Sequence, residues 1–189
     1  MASVTSASVD AAYAVGRADG PPMDESRTAA PSDTRVTLAH IMSAHDTNLL
    51  GTVHGGNIMK LVDDAAGTVA ARYSGGAAVT ASMDEMLFLS PVRVGDVVTV
   101  HAQVNWAGRT SMEVGTRVET TRWDELSAPV HVASAYLVMV AVDVEGKPRA
   151  VRALDPETDE DQRRHREAQI RREHRLARRA AIKESRLAG

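Results

Sequence analysis

One long Ala-rich helical run, followed by four β-rich stretches with only short connections, is the feature that most constrains this chain. Residues 56–73 read as a helix of about five turns at 3.6 residues each, closed by the stop signal Ser74-Gly75-Gly76. After it, residues 77–89, 97–106, 111–123 and 130–144 are rich in β-branched side chains. Alternation is plain in Val98, Val100, Ala102 and Val104, and again in Met112, Val114 and Val118. Pro91 and Gly95-Asp96 separate the first two stretches, and Ala107-Gly108-Arg109-Thr110 is a hairpin turn between the second and third. Four successive strands predict an antiparallel meander with the single apolar helix covering one face. A short strand over residues 35–40 precedes the helix. The fold class is therefore α+β, one helix wrapped by a curved antiparallel sheet.

A length of 189 residues accommodates one compact domain with tails. Residues 1–33, rich in Ala, Ser, Asp, Gly and Pro without a sustained period, read as a disordered extension. Residues 34–150 form the domain, and residues 151–189 a charged helical tail. In that tail an acidic run at 155–161 precedes a stretch holding ten of the 22 Lys and Arg. Acid first and base last complements the helix dipole, so the tail reads as one surface helix with too few apolar residues for a core of its own.

Several function classes drop out. A net charge of -3 gives no nucleic-acid footprint to the chain as a whole. The basic tail lacks interleaved aromatics for base stacking and an apolar face for a membrane, so neither partner is expected. Cysteine is absent, which removes disulfides, thiolate nucleophiles and Cys-based zinc sites and is compatible with a reducing, cytoplasmic setting. No apolar run approaches the roughly 20 residues that span a bilayer, and no basic-then-apolar signal peptide opens the chain. His40, His45 and His54 have no compact metal-ligand spacing, so no metal is expected.

The chemistry concentrates between Asp46 and Gly67. A helix that opens at Gly55-Gly56 presents unpaired backbone N–H groups to an anion or a polarised carbonyl. Asp63, two turns in, shares a flank with Met59, Ala66 and Ala70, beside the apolar stripe of Ile58, Val62, Ala65 and Val69. A carboxylate on an apolar flank needs partners or a task; both a structural and a catalytic role stay open at this point. Asp64 falls on the polar side with Lys60 and reads as a salt-bridged surface residue. Asn48 has an Asx-turn as its default role. His54, just before the glycines, is a second candidate base. No G-x-S-x-G nucleophile motif occurs.

Val53-His54-Gly55-Gly56, Met59-Lys60-Leu61-Val62-Asp63, Thr80-Ala81-Ser82-Met83-Asp84, Phe88-Leu89-Ser90-Pro91 with Gly95-Asp96, and residues 108–114 resemble, in this order, the hotdog-fold acyl-CoA thioesterases. The likeness is to the branch that holds brain acyl-CoA hydrolase and its single-repeat bacterial relatives, and it covers residues 36–149. It implies a hotdog fold and hydrolysis of fatty acyl-CoA to fatty acid and CoA, with no cofactor beyond the CoA of the substrate. Asp63 then matches the family's general base or nucleophile, and Asn48 the residue that positions water or thioester. The resemblance further implies a homodimer in which Asn48 of one subunit meets Asp63 of the other, assembled into a hexamer as a trimer of dimers. Asp64 stands where close relatives often carry Glu.

The implied thioester carbonyl sits at the helix N-terminus, among His54, Gly55 and Gly56, with Thr80 and Ser82 lining the substrate site. The acyl chain is expected in an apolar tunnel between the helix and the inner strand faces. Arg109, Thr110 and Ser111 are the first candidates for the CoA phosphates, because Arg pairs well with phosphate oxygens; Arg163 and Arg164 come second. Two other readings share these features: a hydroxyacyl-thioester dehydratase using His54 with Asp63, and a non-catalytic acyl-CoA sensor. The block at Thr80 to Asp84 argues against the first, and Asp63 against the second.

Overall fold

A computed structural model describes residues 28–187. Period-two alternation decides which side of the sheet each strand residue faces. On β3 (Asp96–Ala107) Val98, Val100, Ala102 and Val104 turn inward and are buried, as are Met112, Val114 and Val118 on β4 (Ser111–Arg122). Against them lies helix α1 (Gly55–Ser74), which presents Ile58, Val62, Ala65, Ala66, Val69 and Tyr73. Alanine at two of these positions lets the helix axis come close to the sheet. The helix stops where the sequence predicts: Gly75 takes the left-handed conformation at φ 69°, and Arg149 Nη1 donates to the Ser74 carbonyl at 2.7 Å.

The strands β1 (Val36–Ile41), β2 (Ala78–Phe88), β3, β4 and β5 (Val130–Ala141) form one antiparallel sheet in the order β1-β3-β4-β5-β2. Only β3, β4 and β5 are the expected meander. The strand after the helix does not pair with its successor; it crosses to the far edge and pairs with β5. The connector at 89–95 is too long for a tight hairpin and contains Pro91. Its Val92 is buried at the N-terminal end of α1, where its carbonyl accepts from Val53 N at 2.8 Å. With β1 and β2 on opposite edges, the sheet can curl around the helix.

The termini join this body more closely than their composition suggests. Of the expected extension, residues 1–27 lie outside the described residues, whereas Ala29 and Ala30 are buried and Ala29 bridges to Leu154. Tyr73 Oη donates to the Arg152 carbonyl at 2.6 Å, and its burial pushes the phenol up to about 12. The tail forms α2 (Asp159–Leu187), whose Asp161, Ala168 and Arg175 are buried. It lies against the outward-facing residues of the sheet, the set alternate to those that meet α1. It is the surface helix that its charge pattern predicts, and charge pairs rather than apolar burial seat it. Arg171 grips Glu113 of β4 through Nη2–Oε1 at 2.7 Å and Nε–Oε2 at 3.2 Å and lies 3.6 Å above the Tyr136 ring, while Arg175 pairs with Asp84 of β2.

Candidate functional site

The loop before α1 is organised by one carboxylate. Asp46 Oδ2 accepts from Ser43 N at 2.7 Å and Ser43 Oγ at 2.8 Å. The backbone N–H of Ser43 above all, then its hydroxyl, holds the Asp46 carboxyl below the usual range. The Asp46 carbonyl accepts from His54 N at 2.7 Å, and from the first turn of α1 Asn57 Nδ2 donates to that carbonyl at 3.2 Å and to Asp46 Oδ1 at 3.3 Å. Asn48 keeps its turn role: Oδ1 accepts from Leu50 N at 2.8 Å and Nδ2 donates to Thr52 Oγ1 at 2.9 Å. One Nδ2 proton of Asn48 is left over.

His54 caps the helix. Its Nδ1 accepts from Gly56 N at 2.9 Å, so the ring's outer nitrogen, Nε2, carries the proton when neutral. Of the two glycines expected at the oxyanion site, Gly56 has its amide taken by His54, and the amide of Gly55 is without a partner among the described residues. Gly55 borders a groove of about 340 Å³ lined by Val53, Ile58, Phe88, Leu89, Pro91 and Val92. A Cβ on Gly55 would stand 3.4 Å from the Phe88 ring, so the bare glycine keeps amide and groove open. Along the middle of α1, Val62, Ala65, Ala66 and Val69 are packed against the sheet at 0 % exposure. Apolar room lies instead at the helix N-terminus.

Asp63 is exposed, and its Oδ1 accepts from Thr80 Oγ1 at 2.6 Å. Thr80 thus reaches the carboxylate across the gap between α1 and the edge strand β2, and it also touches Met139 Sδ at 3.4 Å. Sequence reading made Thr80 a substrate contact and missed that it orients Asp63; no local pattern links two residues seventeen apart. Ser82 Oγ, further along β2, is buried without a hydrogen-bond partner among the described residues. Asp64 pairs with Lys60 at 2.6 Å on the exposed face, as its helical position predicts. Asn48 and Asp63 of one chain share no hydrogen bond.

Arg109 is exposed in the β3–β4 turn, held through its carbonyl by Val151 N at 3.0 Å. Register puts Ser111 opposite Val140 and Val140 opposite Val79, two strands from the neighbour of Thr80. The turn, with Thr110, therefore lies at the same end of the sheet as the Asp63–Thr80 pair. Arg163 and Arg164 are engaged by Glu160 on the outer face, remote from it. Among the described residues no His, Asp or Glu cluster has metal-binding geometry.

Comparison with known proteins agrees with this architecture. Residues 50–122 match the Thioesterase superfamily model. The chain is 36% identical over 141 residues to the mouse "Cytosolic acyl coenzyme A thioester hydrolase", an alignment that covers 74% of this chain and 37% of the relative. The chain belongs to the thioesterase superfamily. It spans little more than a third of that longer relative. Among solved thioesterases, the acyl-CoA hydrolase from Staphylococcus aureus in complex with butyryl coenzyme A and coenzyme A superposes with a TM-score of 0.76 at 33% identity, over 84% of this chain and 96% of the other. An apo-hexameric acyl-CoA thioesterase gives 0.78 at 34% identity, over 82% and 98%. The hotdog arrangement is thereby shown. Alanine variants of the Staphylococcus protein replace an Asn, an Asp and a Thr that are 15 and then 17 residues apart. Asn48, Asp63 and Thr80 have that spacing here.

Proposed function

We propose that this thioesterase-superfamily chain hydrolyses acyl-CoA thioesters at a site centred on Asp63 and completed by a second copy of the chain. The observation that carries the reading is the Asp63–Thr80 hydrogen bond, which holds an exposed helix carboxylate in one orientation beside the edge of the sheet. Asp63 takes a proton from water as the water oxygen adds to the thioester carbon; the C–S bond then breaks and the CoA thiolate takes up the proton. Direct attack by Asp63 through an anhydride is the competing route. In a single turnover in ¹⁸O-water, first-turnover acid without the label, with ¹⁸O left on Asp63, assigns the anhydride route opened at the Asp63 carbonyl.

Distance along the helix supports the shared site. Gly55 and Asp63 are eight residues apart, about 12 Å at 1.5 Å per residue. An oxyanion donor has to lie about 3 Å from the carbonyl oxygen that the nucleophile's attack charges. One chain's helix cannot supply both groups to one carbonyl, whereas two helices related by a two-fold axis can. The Gly55 amide and the spare Asn48 proton of one subunit then face Asp63 of the other. The edge strand β2, with Val79, Leu87 and Phe88 half exposed, is the natural seam, since an unpaired edge of this length invites a second strand. The hexameric neighbour supports a higher assembly of such dimers. The groove at Gly55 takes the first part of the acyl chain, and Arg109, Thr110 and Ser111 receive the CoA phosphates. No metal or redox cofactor takes part. No helix among the described residues is long and apolar enough to cross a membrane. Action in the cytosol fits the likeness to a relative that carries that word in its name.

The experiment is thiol release from acyl-CoAs of increasing chain length by the parent, Asp63→Asn and Asp64→Asn. Loss of about 10²-fold or more with Asp63→Asn alone is expected. A folded parent that cleaves no acyl-CoA overturns the assignment.

A further inference from the structure

The strand that carries Thr80 is irregular. β2 pairs with β5 through two register shifts, one between Thr80 and Ser82 and one between Met83 and Glu85, so that Ala81 and Asp84 have no residue opposite them. Bulges of this kind re-aim side chains and sit beside active sites. The second is held in an unusual way: its extra residue is a carboxylate, only 9 % exposed at the side chain, whose Oδ1 is buried without a partner. The other oxygen, Oδ2, meets Arg175 of α2, itself 8 % exposed and 91 residues away in sequence. No other cation is paired with Asp84 among the described residues.

We propose that Arg175 is a positioning residue for the thioesterase site, acting through the β2 bulge. A buried carboxylate without its counter-charge is costly enough to move the strand that bears it. In β structure a slip of one residue turns each side chain to the other face. With Arg175 gone, Asp84 seeks water, the bulge relaxes, and Thr80 four residues upstream leaves Asp63. The C-terminal helix therefore sets the aim of the carboxylate from the opposite side of the sheet, without touching substrate. Arg171 provides the contrast. It anchors the same helix to Glu113 of β4, a strand that bears neither Thr80 nor Asp63.

The inference rests on Asp63 being the hydrolytic carboxylate, and the experiment tests the two separately. Steady-state thioester hydrolysis is measured for the full chain and for Arg175→Leu, Arg175→Lys, Thr80→Ala, Arg171→Ala and the double variant Arg175→Leu with Thr80→Ala. Active-site misplacement predicts a kcat lower by about tenfold to 10²-fold for Arg175→Leu, with KM changed by less than about twofold. Arg175→Lys restores most of it, and Arg171→Ala leaves the kcat of the folded fraction unchanged. In the Thr80→Ala background Arg175→Leu has no further effect, because the hydrogen bond it protects is already gone. Losses that multiply in the double variant, or full kcat in folded Arg175→Leu, overturn the proposal. If Arg175→Leu does not fold, Asp84→Asn takes its place in the same cycle and is judged by the same outcomes. Failure of the underlying reading looks different, as an Asp63→Asn variant with parental activity.

Discussion

The two helices pack on opposite faces of one sheet by opposite chemistry. α1 meets the inner face with alanine, valine and isoleucine and carries no charge into it. α2 meets the outer face with Ala168 and two arginines, which neutralise Glu113 and Asp84 and leave Asn105, Tyr136 and Gln103 as polar floor. Apolar burial tolerates a choice of partners and is proportional to area. A buried ion pair is worth little as net stability, yet losing one member is severe, so it specifies where a helix sits more than how tightly. The inner face thus holds the fold together, and the outer face fixes the docking of the tail.

Four measurements sharpen or break that contrast. The largest effect belongs to the outer face. Arg171→Ala strands a carboxylate that is 2 % exposed and is expected to cost about 3–5 kcal/mol in chemical denaturation, whereas replacing both partners, Glu113→Leu with Arg171→Met, comes close to neutral. Equal cost for the single and double changes would mean that the pair itself, not the stranded charge, stabilises the fold. On the inner face Val62→Ala removes two methyl groups from a site at 0 % exposure and is expected to cost about 2 kcal/mol, with no dependence on salt. A salt-dependent loss there would break the assignment of the two chemistries.

A smaller effect is expected at the helix entry. His54→Ala removes the acceptor of the Gly56 amide and lowers stability by about 1 kcal/mol, measured as a shift in the unfolding midpoint at unchanged slope. The smallest is a pH effect on the exposed start of α2. Hydrogen bonds from Arg163, then Arg164, hold Glu160 at about 2, below its ordinary 4.5. A depressed carboxyl contributes above its unfolded value and loses that contribution as pH falls from 4.5 through about 2. Helicity of α2, followed by circular dichroism on acidification, therefore declines across that window, and Glu160→Gln flattens the decline. An unchanged acid profile in the variant would show that the cluster contributes nothing.

Local signals carried much of this architecture. The helix is where its apolar stripe and terminal glycines put it, the β3–β4 hairpin turns at Gly108, and Asp64 finds Lys60 one turn earlier on the same helix. Asp63 stood out because a carboxylate on an apolar flank demands an explanation. The Thr80–Asp63 bond and the use of the Gly56 amide by His54 had no such signal. The first depends on which strand edge comes to rest beside α1; the second is a cap made two residues away by histidine, which is not among the favoured capping residues. The outer-face pairs left a faint trace, since Asp84 and Glu113 are carboxylates inside β-rich stretches, but nothing in one dimension matches them to Arg175 and Arg171 among the ten Lys and Arg of α2.

By itself the sequence determined the periodicities, and hence the helix, the strands and their inward faces, because those follow from side chains within one or two turns of each other; the order of its motifs along the chain carried the family resemblance. Tertiary structure alone decided that β2 crosses to β5, that Thr80 holds Asp63, and that Arg171 and Arg175 seat the tail. These rest on pairings between 17 and 91 residues apart. At such separations closing the loop costs nearly the same entropy for many alternatives, and only the packed whole selects among them.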